Sequence, residues 1–228
     1  MNNDSVSTTQ CEKFRHPEFR LTVDSYIPRI DIGVLVSFLE ESVENGSRFA
    51  DGETISFGSM LLRVASIDGS FSLEEPDLKS LPIVWKNGVT QSLKLLRLQK
   101  DIAESVGLNE EVDPPSIRCS RVVAADMTQD CQAFVLERTS PVQSDSGWFI
   151  GRLDTQLDYR NSANLNRQSV YQAILNWPQI AGFLALPAGC RVDVSLAKTL
   201  FSRNGEPLGI KKGGFVDFLE EDVDRRTA

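Results

Sequence analysis

Histidine is almost absent from this 228-residue sequence, and the one that is present lies outside any catalytic motif. His16 is followed by Pro17, and no nucleophile motif surrounds it. Serine and cysteine hydrolases need a histidine placed beside the nucleophile. We therefore expect His16 to be solvent-exposed and non-catalytic.

Cysteine pairs are also missing. The four cysteines lie far apart, at Cys11, Cys119, Cys131 and Cys190. This spacing argues against a structural zinc site and a disulfide scaffold. We expect small buried side chains in a reducing cytoplasm, although a Cys119–Cys131 bridge across a hairpin remains open.

Phosphate-binding and membrane-spanning motifs are absent as well. The basic, glycine-flanked residues 209–214 lack the strand and helix that would make them a phosphate site, so we interpret them as a flexible surface loop. The longest nearly apolar stretches, such as residues 180–188, are far shorter than the roughly 20 residues that span a bilayer. Residues 1–10 do not resemble a signal peptide. We expect a cytoplasmic protein that does not bind membranes.

Acidic residues outnumber basic ones, 32 to 24, which gives a net charge of −8. Nucleic-acid binding requires clustered Lys and Arg, so this balance argues against it. Residues 101–113 and 217–224 each contain five acidic groups and no Lys or Arg. These runs are either solvated faces or an acidic surface that complements a basic partner, for which a nuclease is one natural candidate.

Carboxylates do not form a recognisable catalytic or metal-binding pattern. Asp145, Asp154 and Asp158 are close in sequence, but their spacing matches no known metal loop. We interpret them as solvated loop charges and expect no enzymatic activity, no metal and no cofactor. A carboxylate-based enzyme remains open as an alternative hypothesis.

Apolar periodicity predicts an α+β fold of two small domains, each with a short, mostly antiparallel sheet packed against helices. In the first half, Asp31 can cap a helix and Asp68-Gly69 can form a hairpin turn. A second helix is expected from Thr90 to Gly107. The apolar residues of the first helix recur at spacings of three and four: Ile32, Leu35, Leu39 and Val43.

In the second half, strands within 117–125 and 132–137 are expected to pair with each other. A third strand near 147–151, a long loop at 154–168 and a helix capped by Ser169 follow. The predicted boundaries are a flexible leader (1–21), an N-terminal domain (22–108), a linker with two prolines (109–116), a C-terminal domain (117–214) and an acidic tail (215–228).

Five segments of the second half, taken in order, form one pattern: Cys119–Val123, Ser144–Trp148, Ser169–Pro178, Leu186–Gly189 and the aromatic strand around Phe201. Together, over about residues 117–208, they resemble the immunity-protein domain known as immunity protein thirty-three. The most specific part is the four-residue motif Asp145, Ser146, Gly147 and Trp148, followed at the right distance by Ser169–Pro178. We interpret this motif as structural, since a Trp after Gly in a short strand is typically part of a core.

The resemblance implies an immunity protein that binds and neutralises a cognate bacterial toxin by stoichiometric protein–protein interaction. The two-domain layout is similar to that of immunity proteins paired with type VI-secreted effectors, among which a DNase would fit the acidic runs. We expect a monomer when free and a hetero-oligomer with the toxin. The alternative is a non-enzymatic adaptor or an effector-loading chaperone of a secretion system.

Loops carry recognition on rigid scaffolds, so the loop after the Trp motif and the acidic C-terminal run are the expected toxin contacts. The candidate residues are Asp154, Asp158, Arg160, Asn164, Asp217, Glu220, Glu221 and Asp222.

Overall fold

Two separate β-sheets organise the chain, and helices accompany each of them. The computed structural model describes residues 3–196 and 198–219. The chain divides into unit 1 (Met1–Arg97) and unit 2 (Leu98–Ala228). Each sheet contains one parallel strand pair, and its other described pairs are antiparallel. The predicted α+β class is confirmed.

Unit 1 contains a six-stranded sheet in the order β1-β2-β5-β4-β3, with β6 beside β5. Its elements are β1 (Asn3–Ser7), β2 (Phe19–Asp24), α1 (Arg29–Glu44), β3 (Thr54–Phe57), β4 (Met60–Ile67), β5 (Ser70–Pro76), β6 (Trp85–Asn87) and the start of α2 (Thr90–Ser105). The predicted hairpin is confirmed, because Asp68 (φ 49°) and Gly69 (φ 78°) connect β4 and β5 with positive φ angles.

The buried side of α1 follows the predicted periodicity. Its four buried side chains are Ile32, Leu35, Leu39 and Val43. They join one hydrophobic cluster with Phe19, Leu21 and Val23 of β2. The helix ends at Asn45-Gly46, where Gly46 has a φ of 95° that a residue with a side chain rarely adopts.

The beginning of α2 is stabilised from another strand. The Glu75 carboxylate of β5 accepts hydrogen bonds from the backbone nitrogens of Gln91 (2.9 Å) and Ser92 (2.7 Å). Thr90, the expected cap, instead accepts a hydrogen bond from the backbone nitrogen of Asp24 (2.9 Å). A carboxylate at a helix N-terminus satisfies its free N–H groups and interacts favourably with the helix dipole.

Residues 3–21 are structured, which differs from the predicted flexible leader. β1 pairs with β2 from Asn3↔Asp24 to Ser7↔Arg20. Cys11, Phe19 and Leu21 are fully buried. These residues are ordered because apolar residues alternate along β2, so that one side of the strand is buried in the core of unit 1.

His16 is buried, so the prediction of an exposed side chain is wrong. It is only 4% exposed and lies within 5.4–5.7 Å, between ring centroids, of Phe19, Phe49 and Phe71. Its Nε2 accepts a hydrogen bond from the backbone nitrogen of Phe49 (3.2 Å), and its Nδ1 lies 2.8 Å from the carbonyl oxygen of Pro17. Only a neutral ring with its proton on Nδ1 satisfies both contacts.

We expect His16→Ala to lower the free energy of unfolding of unit 1 by about 2–4 kcal/mol, because it leaves a cavity and two unpaired backbone groups. Chemical denaturation followed by circular dichroism measures this change. Glu12→Ala, at an exposed position on the same segment, is the control. Equal stability of the two variants would contradict the buried role of His16.

Unit 2 contains a seven-stranded sheet in the order β10-β7-β9-β8-β11-β12-β13. After the second part of α2, its elements are β7 (Ser120–Ala124), β8 (Phe134–Arg138), β9 (Asp145–Arg152), β10 (Leu165–Ser169), α3 (Val170–Asn176), β11 (Cys190–Val194), β12 (Thr199–Arg203) and β13 (Glu206–Leu208). Short 3-10 turns lie between several of these elements.

The inner side of this sheet is an apolar row formed by residues in register. The row runs through Val123, Ile150, Leu136, Val192 and Phe201. All five side chains are buried. Alternate residues of a strand point to opposite sides, so the neighbouring positions of the same strands form a separate outer face.

The predicted pairing of the first two strands of this half is wrong. β7 pairs in parallel with β9 and antiparallel with β10, whereas β8 lies between β9 and β11. The predicted loop at 154–168 also ends as a strand, since its last residues form β10. In the observed order each of these two strands has a neighbour on both sides, which a simple hairpin would not provide.

The division between the units falls inside α2, not at the predicted linker 109–116. Residues 109–111 form a 3-10 turn, and the backbone nitrogen of Asp113 donates to the carbonyl of Ala185 at 2.9 Å.

Helix α3 begins as predicted, with a capping box in which Ser169 and Gln172 exchange hydrogen bonds. All four cysteines are free, and three are buried; Cys119 is partly exposed.

Candidate partner-binding surface

The four-residue motif 145–148 forms a bulge that joins three strands. Ser120 lies opposite Asp145, but Val122 lies opposite Phe149, so β9 contains extra residues between these two pairs. The Asp145 carboxylate accepts a hydrogen bond from the backbone nitrogen of Gly147 (2.9 Å) and forms an ion pair with Arg167 of β10. Such a bulge changes the direction of side chains and strengthens the local twist.

The other motif residues hold the bulge from both sides. The hydroxyl of Ser146 donates to the carbonyl of Ser120 (2.9 Å). Gly147 has a φ of 76°, and a Cβ there would overlap the carbonyl oxygen of Thr139. Trp148 is 1% exposed, and its Nε1 donates to the carbonyl of Leu184 (2.9 Å). These contacts give the motif a structural role in this fold.

A buried arginine lies at the centre of unit 2. The guanidinium carbon of Arg138 is 5.6 Å from the centroid of the Trp148 ring. Its nitrogens donate to the carbonyls of Leu186 (2.6 Å), Asp113 (2.6 Å) and Ser146 (3.3 Å), and Nη2 forms an ion pair with the Asp113 carboxylate at 2.9 Å. Burial lowers the pKa of Arg138, and the nearby Asp113 carboxylate opposes that shift.

Part of the first acidic run is occupied by contacts within the chain. Asp113 binds Arg138, and Glu111 forms two hydrogen bonds with Arg203, at 2.7 and 2.6 Å. The Arg203 hydrogen bond lowers the pKa of Glu111. These two carboxylates attach residues 111–113 to unit 2, so the run 101–113 is not a continuous free acidic surface.

The outer face of the unit 2 sheet combines an aromatic centre with paired charges. Six residues in register form one row across it: Arg167, Val122, Phe149, Glu137, Arg191 and Ser202. Arg191 forms ion pairs with Glu137 and, at 2.9 Å, with Asp193. One side of a mixed or antiparallel sheet can remain open to solvent. We call this surface the outer face.

The loop after β9 is attached to the outer face by Tyr159. The Tyr159 ring lies 5.1 Å from the Phe149 ring, and its hydroxyl donates to the Asp126 carboxylate at 3.1 Å. Burial raises the pKa of the Tyr159 hydroxyl. A Cβ on Gly151 would lie 2.8 Å from atoms of both rings, so glycine at this position allows them to pack on the strand.

An open groove of about 560 Å³ lies on the outer face beside this loop. It is lined by Val135, Glu137, Phe149, Arg152, Leu153, Thr155, Asp158, Tyr159, Arg160 and Arg191. The groove therefore brings together the β8–β9–β11 row and the first part of the loop. Its lining combines apolar, aromatic and charged side chains.

The structure places four predicted contact residues in this loop. Asp154 forms an ion pair with Arg152 at 3.1 Å. The Asp158 carboxylate accepts a hydrogen bond from the backbone nitrogen of Arg160 (3.0 Å), and the Asp158 carbonyl accepts one from Asn164 (3.0 Å). Asp158 and Arg160 line the groove. Asp154 and Asn164 belong to the same loop but do not line it.

Asp217, the one C-terminal candidate within the described residues, does not line this groove. Asp217 lies in a helical segment, residues 215–219, and its carboxylate accepts a hydrogen bond from the backbone nitrogen of Gly213 (2.7 Å). Glu220, Glu221 and Asp222 lie outside the described residues.

Sequence reasoning missed the strand residues of the outer face. Glu137 and Phe149 alternate with the buried residues Leu136 and Ile150, which was a detectable signal in each strand. Arg191 stands between two buried residues of β11 in the same way. What the alternation could not show is which strands are neighbours, and therefore which residues form one row.

Two kinds of site are not found in the part of the chain that the structure describes. No group of three or more His, Cys, Asp or Glu side chains is positioned to hold a metal ion. In the same residues, no helix has both the length and the apolar character needed to cross a membrane.

Comparison with known protein families finds a match within the second unit. Residues 98–199 match the family model of the Imm33-like domain, which covers slightly less than half of the chain. This match confirms the resemblance to an immunity-protein family for that region. It begins at Leu98, the first residue of unit 2, and so includes the second part of α2. No curated protein and no solved structure shows a significant match to the chain.

We expect Gly151→Ala to displace Tyr159 and lower the free energy of unfolding by about 1–3 kcal/mol, because the added methyl overpacks the two rings. Amide hydrogen exchange should show reduced protection in residues 153–164. Gly209→Ala is the control, since no atom lies within 4 Å of its Cβ position. Unchanged exchange in Gly151→Ala would contradict the proposed attachment of the loop.

We expect Arg138→Met to lower the free energy of unfolding of unit 2 by about 3 kcal/mol or more, because three carbonyl groups lose their donor. Thermal denaturation followed by tryptophan fluorescence measures the loss, since Trp148 lies beside the substituted group. Arg118→Met removes an exposed arginine from the same unit and should change little. Similar melting of both variants would show that Arg138 has no central role.

Proposed function

We propose that this chain is an immunity protein that binds a cognate bacterial toxin and neutralises it by stoichiometric contact. The observation that carries this proposal is the Imm33-like match over residues 98–199, which coincides with the sheet of unit 2 from β7 to β11. The outer face of that sheet supports a binding role, because the packed rings of Phe149 and Tyr159 form an aromatic centre on it.

The contact is proposed to lie on the outer face and its groove. Phe149 and Tyr159 provide the rigid aromatic centre, and Arg191 and Arg160 provide charged groups around it. Aromatic and arginine side chains are the residues that most often dominate the energy of protein interfaces. Loop residues Asp154, Asp158, Arg160 and Asn164 would then border the contact.

The class of toxin is inferred from the charge of the chain. The net charge of −8 favours a basic target, and a type VI-secreted DNase has the basic active-site groove that such a protein could block. However, Glu111 and Asp113 are engaged within the chain, and the acids of the outer face lie beside arginines. We therefore propose a contact that combines apolar packing with charge pairing rather than a purely acidic surface.

The test is co-expression with a candidate toxin domain, taken from an open reading frame next to this gene, followed by growth and pull-down measurements. We expect the chain to restore growth and to co-purify with the toxin. We expect Arg160→Glu and Leu153→Asp to weaken binding at least about tenfold, which corresponds to about 1.4 kcal/mol, because both change exposed residues that line the groove of the proposed contact.

Lys212→Glu is the matched control, since Lys212 is an exposed cation of the same unit and lines a different groove. Co-purification without protection would favour the adaptor or chaperone function. Equal binding by all three variants would place the contact elsewhere. Repeating the pull-down at several salt concentrations separates charge pairing from apolar packing, since screening acts on the first.

A further inference from the structure

Three large apolar side chains are exposed around the beginning of α1. Tyr26 is 57%, Ile30 71% and Val34 40% exposed. Among the described residues of unit 1, the other large apolar side chains that are exposed are Ile67, at a hairpin turn, and Leu81 and Val84, between β5 and β6. Only the first group continues onto a helix face.

Two of them, Ile30 and Val34, lie on α1 opposite its buried side. At about 100° per residue, Ile30, Val34, Ser37 and Glu41 fall within a sector of about 60°. The core of unit 1 uses the other sector, with Leu35 and Leu39 fully buried. The exposed apolar residues are therefore not required for the packing of α1 within its own unit.

Gly33 lies at the edge of this face. Glycine inside a helix is destabilising by about 1 kcal/mol relative to alanine. No atom lies within 4 Å of the position that a Cβ would occupy, so nothing within the chain requires a glycine here. A missing side chain on an exposed helix face allows another backbone to approach closely.

The two ends of this face carry charges of opposite sign. At its beginning, Lys94 of α2 lies with its Nζ 4.5 Å from the centroid of the Tyr26 ring. Toward its end, Glu41 and Glu44 are exposed. Within α1, residues 30 and 37 are equally distant from the midpoint between Gly33 and Val34, about 5 Å each at a helical rise of 1.5 Å per residue.

We propose that this face binds a second copy of the chain, in an antiparallel pair of α1 helices related by a two-fold axis near Gly33 and Val34. A two-fold interface uses the same patch on both subunits, so the patch must complement itself. In this arrangement Ile30 packs near Ser37 of the second copy, and Glu41 reaches Lys94 beside Tyr26. The pairing departs from the expectation of a free monomer.

The interface is small, because each copy contributes one helix face. Interfaces of this size are typical of weak, concentration-dependent association. The apolar centre would provide most of the affinity, and the two symmetric Glu41–Lys94 pairs would set the orientation and make association depend on salt.

The experiment is sedimentation velocity of the full chain over a range of concentrations. We expect the mass to rise from 25.3 kDa toward twice that value. Ile30→Glu should raise the dissociation constant at least tenfold. Ile67→Glu is the matched control, since it makes the same change at an exposed isoleucine of the same unit and should leave association unchanged.

A charge exchange tests the orientation. Glu41→Lys and Lys94→Glu should each raise the dissociation constant several-fold, and the double variant should restore it. A monomer at every concentration would overturn the proposal, as would equal effects of Ile30→Glu and Ile67→Glu. A dimer that the double exchange fails to restore would overturn the antiparallel arrangement.

Discussion

The buried Arg138 guanidinium is the interaction on which unit 2 depends. An unpaired charge in a protein interior is costly, so the surrounding chain must provide acceptors in the right places. Arg138 obtains them from Ser146 in the bulge, from Leu186 after the short 3-10 turns, and from Asp113 before β7. These segments are far apart in sequence, and their positions are linked because one planar group binds them all. The Trp148 ring beside it adds apolar burial to the same centre.

Ion pairs within the chain occupy part of its excess of acidic residues. The sequence carries a net charge of −8, yet two carboxylates of its first acidic run bind arginines of the same chain. Similar pairing occurs on the outer face, where Arg191 lies between Glu137 and Asp193. Exposed ion pairs contribute little stability, typically about 0–1 kcal/mol. Their effect here is to orient side chains and to reduce the acidic field that a partner would encounter.

Only unit 2 carries a family match, and the two units have different structural features. Unit 2 carries the Imm33-like match, a sheet with one open face and a loop attached to that face by Tyr159. Unit 1 lies outside the match and has its own core, in which His16 is packed among phenylalanines. A binding surface on unit 2 and a self-association surface on α1 would use different residues, so toxin binding and pairing of two copies could be measured independently.

Short sequence patterns correctly predicted the elements that are stabilised by contacts between residues a few positions apart. The periodicity of α1, the Asp68-Gly69 turn and the capping box at Ser169 depend on residues a few positions apart, and each was predictable. The α+β class and the immunity-family resemblance also came from the sequence alone. Tertiary structure decided the parallel pairing of β7 with β9, the cap that Glu75 supplies to α2 and the burial of His16. It also decided which strand residues form the outer face. In each of these cases at least one partner lies more than ten residues away, as Phe49 does from His16, and the alternation of a single strand reports burial without identifying its neighbour.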